Sequence, residues 1–263
     1  MGGGKKEGTM NMSLQEKFVH QWRNYFGEAE LPIVFFYTDN PGSVTKAKPP
    51  GVEHRCVIAD IARARKGTSI AFDVAAVGCF GGKKYLGFTE GFRPDFEYFL
   101  SYGIPGEMEG ERYKKSPDIV KEVMKNVPNF KAPARYIVFK RWDKIERDDN
   151  PDVVIFFASP DVLSGIFTLV NFDEIEPNGV FTPFAAGCST IVTHPYLEKS
   201  AKRPRAVLGM FDVSARPCVP DNTLTIAIPI NKFERMITNM EESFLTTESW
   251  KKVRGRISKS LKH

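Results

Sequence analysis

The sequence predicts a single α+β domain in which a mixed β-sheet is flanked by helices. Apolar residues at helical spacing alternate along the chain with short apolar runs of strand length. The hydrophobic content of 42% and the charged content of 26% are those of an ordinary globular chain. No long linker interrupts this pattern, so we predict one domain over residues 13–245, between a disordered tail over 1–12 and a basic segment over 246–263.

The first half of the chain opens with a helix signal. Ser13 and Glu16 match the S-x-x-E capping box, and Gly27 marks the end of the apolar pattern that follows. The elements predicted after this helix are, in order, a buried strand over 31–38, a loop over 40–51, a helix over 56–66, a strand over 68–74, a short helix opened by a turn at 78–82, and a helix over 92–102.

The second half contains the same type of helix start at two places. Ser116 and Ser159 are each followed by Pro and Asp, which puts serine at the N-cap and an acid near the positive end of the helix. The other elements predicted here are strands over 136–142, 152–158, 206–211 and 224–229, and a helix over 233–240.

Composition and charge exclude several classes of protein. No apolar run approaches the roughly 18 residues of a membrane span, and the basic start of the chain lacks the apolar core of a secretory signal. We therefore expect a cytoplasmic protein with no membrane partner. The net charge is +5, and much of the excess lies in 250–263, where Trp250 is the only aromatic residue. This favours a solvated segment over a nucleic-acid interface.

The cysteines do not form a disulfide framework or a zinc-ribbon motif. The chain has four of them, at Cys56, Cys79, Cys188 and Cys218, and no two are spaced as C-x-x-C. We expect reduced thiols.

Two places are candidate anion sites. Gly78, Gly81 and Gly82 open a helix beside Lys83, and the backbone N–H groups at such a helix start can bind an anion. The spacing matches neither a Walker A nor a dinucleotide motif, and the alternative is a tight turn that needs glycine for its backbone geometry. Arg216, in a loop after a strand, is a candidate clamp for a carboxylate or phosphate, with a surface salt bridge as the alternative.

Several segments together resemble one known family. They are 55–67, 79–88, 151–154, 188–197, 208–216 and 228–229. In order and spacing this set resembles the prokaryotic domain-of-unknown-function family 169, over about residues 31–240. The family brings no established activity, so the resemblance supports the fold as a unit. Members often carry a further cysteine before the arginine, whereas here Cys218 follows Arg216, so the chain departs from the family's four-cysteine pattern.

Two function hypotheses follow, from different classes. In the first, Cys56, Cys79 and Cys188 come together on folding in a binding module, which holds an iron–sulfur cluster, zinc or a small anionic molecule. In the second, Cys79 is the nucleophile of an enzyme, with its pKa lowered by the helix start and by Lys83. A third hypothesis ranks below them: a homo-oligomer or partner-binding protein that uses some of the 21 Phe residues at an interface.

Overall fold

The structure, a computed structural model, describes residues 13–51 and 55–260. These residues form a mixed eight-stranded sheet with helices on both faces, together with a second sheet of two short strands. The predicted α+β class is confirmed, while the tail predicted over 1–12 lies outside the described residues. In the described ranges no helix is both long enough and apolar enough to cross a membrane.

The elements have the following bounds. The helices are α1 (Leu14–Phe26), α2 (Val57–Arg65), α3 (Phe80–Tyr85), α4 (Phe96–Phe99), α5 (Pro117–Asn126), α6 (Pro160–Val170), α7 (His194–Glu198), α8 (Ile230–Asn239) and α9 (Glu248–Ser260). The strands are β1 (Ile33–Thr38), β2 (Thr45–Lys46), β3 (Ile70–Phe72), β4 (Gly103–Ile104), β5 (Met108–Glu109), β6 (Tyr136–Arg141), β7 (Val153–Ala158), β8 (Val180–Phe181), β9 (Ala206–Gly209) and β10 (Leu224–Pro229). A π-helix spans Ser189–Thr193, and 3₁₀ turns span Trp142–Lys144, Arg216–Cys218 and Phe244–Thr246.

The large sheet is antiparallel at its centre and parallel at both edges. Its strand order is β2-β3-β6-β1-β7-β10-β9-β8. Strand β1 runs antiparallel to both β6 and β7, and β10 runs antiparallel to both β7 and β9. The edge pairs β2–β3 and β8–β9 are parallel. Helices cover both faces, so the central strands are almost continuously apolar.

Alternation along the strands separates two hydrophobic cores. Val34 of β1 belongs to a first core with α1, α6, α8 and α9, whereas its neighbours Ile33 and Phe35 belong to a second core with α2, α3 and the π-helix. The first core is rich in aromatic contacts, most of them edge-to-face or tilted, and Trp22 stacks on Phe26 at 4.1 Å between centroids. The second core contains the segment around Cys188.

The predicted basic C-terminal segment contains a helix that docks on the first core. Trp250 and Ile257 of α9 are buried there, and the Trp250 indole N–H donates to the carbonyl of Tyr25 at 2.8 Å. The lysines and arginines of α9 are mostly exposed on its other faces. Amphipathic burial therefore explains why this basic stretch is ordered as a helix.

Some local predictions differ from the structure. The helix predicted over 92–102 is reduced to the single turn of α4, because Asp95 and Gly103 adopt left-handed conformations, with φ of 56° and 80°, that bound the turn. The chain then forms the β4–β5 pair, which was not predicted. The loop predicted over 40–51 contains the short strand β2.

Candidate functional site

All four cysteines gather at the second core, although they come from distant parts of the chain. Each is a free thiol. Cys188 is a buried member of the core, and Cys56 and Cys218 pack against its edge. Cys79 lies over the first turn of α2, since its sulfur and a methyl group of Val57 both border the same side of Gly82.

Three of these cysteines stand at the start of a helix. Cys56 is the N-cap of α2, Cys79 the N-cap of α3, and Cys188 the N-cap of the π-helix. The first N–H groups of a helix have no partner within the helix, so a sulfur at this position can accept them. Gly82 N–H donates to the Cys79 sulfur at 3.2 Å.

A close backbone approach brings Cys79 to Cys56. A Cβ placed on Gly78 would lie 3.0 Å from the carbonyl oxygen of Arg55, which leaves no room for a side chain. Gly78 therefore lets the strand-to-helix turn before Cys79 lie directly against the residue before Cys56. The turn needs glycine here for close packing.

A second contact joins the segment before Cys188 to the loop before Cys218. A Cβ placed on Gly187 would lie 3.1 Å from the Cβ of Ala215, and Gly187 N–H donates to the carboxylate of Asp212 at 3.0 Å. The segment before Cys188 is thus fixed against the loop that ends at Cys218. The Cys218 thiol in turn lies beside the Cys56 thiol. Sequence reasoning left Cys218 out of the candidate ligands. The family often has a cysteine before this arginine, whereas Cys218 follows Arg216.

Cys56, Cys79 and Cys188 are neutral at neutral pH. Burial raises the pKa of Cys56 to about 11, and the neighbouring Cys218 adds to the rise. Burial also raises the pKa of Cys79 and places the pKa of the buried Cys188 well above its ordinary value. The predicted lowering of the Cys79 pKa is therefore wrong, because desolvation outweighs the hydrogen bond from Gly82.

The π-helix leaves a buried polar group beside Cys188. The hydroxyl of Ser189, a residue only 1% exposed, has no hydrogen-bond partner among the described residues. π-Helical turns are rare and are often found at functional sites. Nothing in the spacing of apolar residues around Cys188 predicts this element, because its five residues are all buried and show no amphipathic pattern.

The glycine turn is already capped by its own thiol. The N–H of Gly82 is bonded to Cys79, and a Cβ on Gly82 would lie 2.7 Å from Val77 and 2.8 Å from the Cys79 sulfur. A Cβ on Gly81 would find only ordinary contacts, at 3.8 Å from Tyr85. The side chain of Lys83 is partly exposed and makes no ion pair with a residue in the described ranges. An anion at this turn would have to replace the sulfur of Cys79.

Arg216 is engaged by its own loop. Its guanidinium donates to the carbonyl oxygens of Asp221, at 2.6 Å, and of Thr223. A longer contact of 3.4 Å reaches the carbonyl of Pro220. Arg216 therefore closes the loop between the Cys218 turn and β10, and its donors are not directed at an external anion.

No ready-made site for a single metal ion is present in the described part of the chain. Within residues 13–51 and 55–260, no three Cys, His, Asp or Glu side chains form a group that could hold one ion. A tetrahedral zinc site needs four ligand atoms within about 2.3 Å of one point. The four thiols share one region without meeting this condition.

Comparison with known proteins places the chain in a family without a known activity. The model of the DUF169 family, described as uncharacterised ArCR, matches residues 28–239. No curated protein and no solved structure matches the chain. The matched region contains all four cysteines and every strand from β1 to β10. The chain therefore belongs to the DUF169 family.

Proposed function

We propose that this protein binds an iron–sulfur cluster through Cys56, Cys79 and Cys188, with Cys218 as the fourth ligand. One observation carries the proposal: the chain has four cysteines, and folding gathers all of them at one region of the second core. Thiolates are the usual protein ligands of iron–sulfur clusters. A cluster bound there would supply one-electron transfer.

The hydrogen bonding at this site suits a cluster. The backbone N–H of Gly82 already donates to the Cys79 sulfur. Such bonds stabilise a charged sulfur, and they help to set the reduction potential of iron–sulfur centres.

The spread of the thiols favours a cluster over zinc. The described residues contain no group that could hold one ion. In a [4Fe–4S] cluster each thiolate binds its own iron, so the four sulfurs need not surround a single point. Cys56, Cys79 and Cys218 are also partly exposed, which gives iron and sulfide a route to the thiols.

The raised pKa values affect how binding would depend on pH. Cys56, Cys79 and Cys188 are protonated in the metal-free protein at neutral pH, because burial raises the pKa of each. Binding as thiolates requires the loss of these protons, so affinity should rise with pH. The same raised pKa argues against Cys79 as an activated nucleophile, which is the alternative enzyme hypothesis.

Anaerobic reconstitution tests the proposal. Full-length protein is incubated with ferrous iron and sulfide, desalted, and analysed for bound iron, for acid-labile sulfide and for broad absorbance near about 400 nm. Stoichiometric iron and sulfide are expected for the wild type, and a large loss for Cys79→Ser and Cys218→Ser. Bound zinc without iron, or a protein free of metal after reconstitution, would contradict the proposal.

A matched control separates loss of a thiol from loss of packing. Val192 is buried in the π-helix that follows Cys188, and Val192→Ala keeps all four thiols. This variant should be less stable but should retain iron. If it loses iron to the same extent as Cys188→Ser, the cysteines have no specific role as ligands.

A further inference from the structure

A second concave site includes Arg55, the residue before Cys56, in its lining. It is a cavity of about 600 Å³ between the β2 segment and α2. Its lining residues in the described ranges are Thr45–Gly51, Arg55, Asp60, Arg63 and Ile70. This volume is in the range of small-molecule sites in proteins.

The cavity carries a strong excess of positive charge. Among the described lining residues there are four cations, Lys46, Lys48, Arg55 and Arg63, and one carboxylate, Asp60. The described lining therefore carries three positive charges in excess. Cations gathered around a concave surface concentrate the electrostatic potential there and attract anions.

Internal contacts account for some of these charges and not for others. Arg55 forms an ion pair with Asp60, whose side chain is only 9% exposed, and this pair fixes one wall. Lys46 lies over the ring of Tyr136, at 5.3 Å from its centroid. Lys48 and Arg63 make no ion pair with any residue in 13–51 or 55–260. These two side chains are exposed and face the cavity with their charges available.

The lining also offers apolar surface. Ala47, Pro49, Pro50 and Ile70 contribute to the walls, and Ile70 lies on β3 at the base of the second core. A bare inorganic anion would leave this surface and most of the volume unused. The cavity thus combines a multiply cationic rim with room for an organic group.

We infer that this cavity binds a small organic molecule that carries a phosphate or diphosphate group. A phosphate group brings two or more negative charges, which matches the excess at the rim better than a single carboxylate. Arginine can bind phosphate oxygens through two hydrogen bonds at once, and lysine adds a point charge. The inference rests on the cavity alone and holds whether or not the cysteines bind iron.

Calorimetric titration of inorganic pyrophosphate into metal-free full-length protein at low salt tests this inference. We expect saturable binding by the wild type that weakens as salt is raised. Arg63→Gln and Lys48→Gln should each weaken binding by about tenfold, the usual effect of one charged hydrogen bond. Both side chains lack an ion pair in the described residues, so their loss should leave the melting temperature unchanged.

Lys252→Gln is the matched control, because Lys252 is exposed on α9 and does not line the cavity. It should bind pyrophosphate as the wild type does. The inference is overturned if the wild type shows no saturable binding at millimolar pyrophosphate, if Lys252→Gln weakens binding as much as Arg63→Gln, or if succinate binds as tightly as pyrophosphate. Iron binding by the cysteines plays no part in any of these outcomes.

Discussion

The backbone N–H of Gly82 donates to the sulfur of Cys79 at 3.2 Å, so a thiol caps the first turn of α3. Serine, threonine, asparagine and aspartate usually fill this position. A thiol is a weaker acceptor than these oxygens, and yet here a partly buried cysteine takes their place. The choice of sulfur at a helix start is consistent with a role for Cys79 as a ligand.

Gly82 should tolerate no side chain, whereas Gly81, one residue away, should. A Cβ at Gly82 would meet Val77 and the Cys79 sulfur at under 3.0 Å, while a Cβ at Gly81 finds nothing nearer than 3.8 Å. We expect Gly82→Ala to lower the free energy of unfolding by about 1–3 kcal/mol, and Gly81→Ala to raise it slightly. Urea denaturation of both variants measures this, and equal stabilities would show that the turn is not tightly packed.

The stability of the metal-free protein should fall in alkali, in part through Cys56. Its pKa is about 11 in the folded protein, compared with an ordinary value of 9.0. The folded state therefore holds the proton more tightly, so this contribution is complete below about pH 9 and is lost as the pH rises towards 11.

Burial also raises the pKa of Tyr85, so this residue too contributes a loss of stability as the pH rises. The Cys56→Ser variant isolates the effect of the thiol. Its free energy of unfolding, measured by denaturant titration at a series of pH values, should fall less steeply above pH 9 than that of the wild type. Parallel curves would rule out a raised pKa at Cys56.

Glu174 should be important for stability, and its neighbour Glu176 should not. Glu174 forms an ion pair with Lys232, which is only 1% exposed, and also contacts Arg203 and Arg235. Glu174→Gln leaves a buried ammonium without its counter-charge, so we expect a loss of about 3 kcal/mol. Glu176, whose side chain is 65% exposed, pairs only with Arg203 among the described residues, and Glu176→Gln should change stability little.

The pH dependence gives a second check on this pair. The hydrogen bond from Lys232 lowers the pKa of Glu174 below its ordinary value of 4.5. Its contribution is therefore present at neutral pH and is lost as the pH falls below 4.5 through the lowered pKa. In acid the difference in free energy of unfolding between the wild type and Glu174→Gln should shrink. A difference that stays constant with pH would contradict this account.

Gly165 should be coupled to Trp250 across the contact between α6 and α9. A Cβ at Gly165 would overlap the Trp250 ring and lie 2.9 Å from Phe26. We expect Gly165→Ala to destabilise the protein by about 1–3 kcal/mol, and by less when Trp250 is replaced by the smaller Phe. Gly255→Ala, with nothing within 4 Å of its Cβ, should instead stabilise α9. If Gly165→Ala and Trp250→Phe had additive effects on the free energy of unfolding, this would argue against direct packing of the two residues.

Local signals predicted the elements that carry their own start and stop residues. Ser13 and Ser116 accept hydrogen bonds as N-caps, and both predicted helices are present. The central strands were predictable because they are buried on both faces and read as continuous apolar runs. The structure of the segment over 92–102 was not predictable. Its aromatic residues suggested a helix, and nothing in the sequence marks the left-handed conformation of Asp95.

Sequence reasoning about the site identified residues but not their contacts. Cys56 and Cys79 were recognisable because each precedes a helix. The packing of Gly187 on Ala215 joins the segment before Cys188 to the loop before Cys218, and spacing along the chain contains no trace of that contact. The same holds for the cationic cavity, whose lysines and arginines come from separate elements.

The order in which the chain is synthesised limits when the thiols can gather. Cys56 and Cys218 are 162 positions apart in the sequence, and β10, which follows Cys218, inserts between β7 and β9. No N-terminal fragment that ends before residue 229 contains the complete sheet that supports the second core. A nascent chain on the ribosome thus presents its cysteines one at a time. Any group held by all four of them has to be inserted after the chain has been synthesised beyond residue 229.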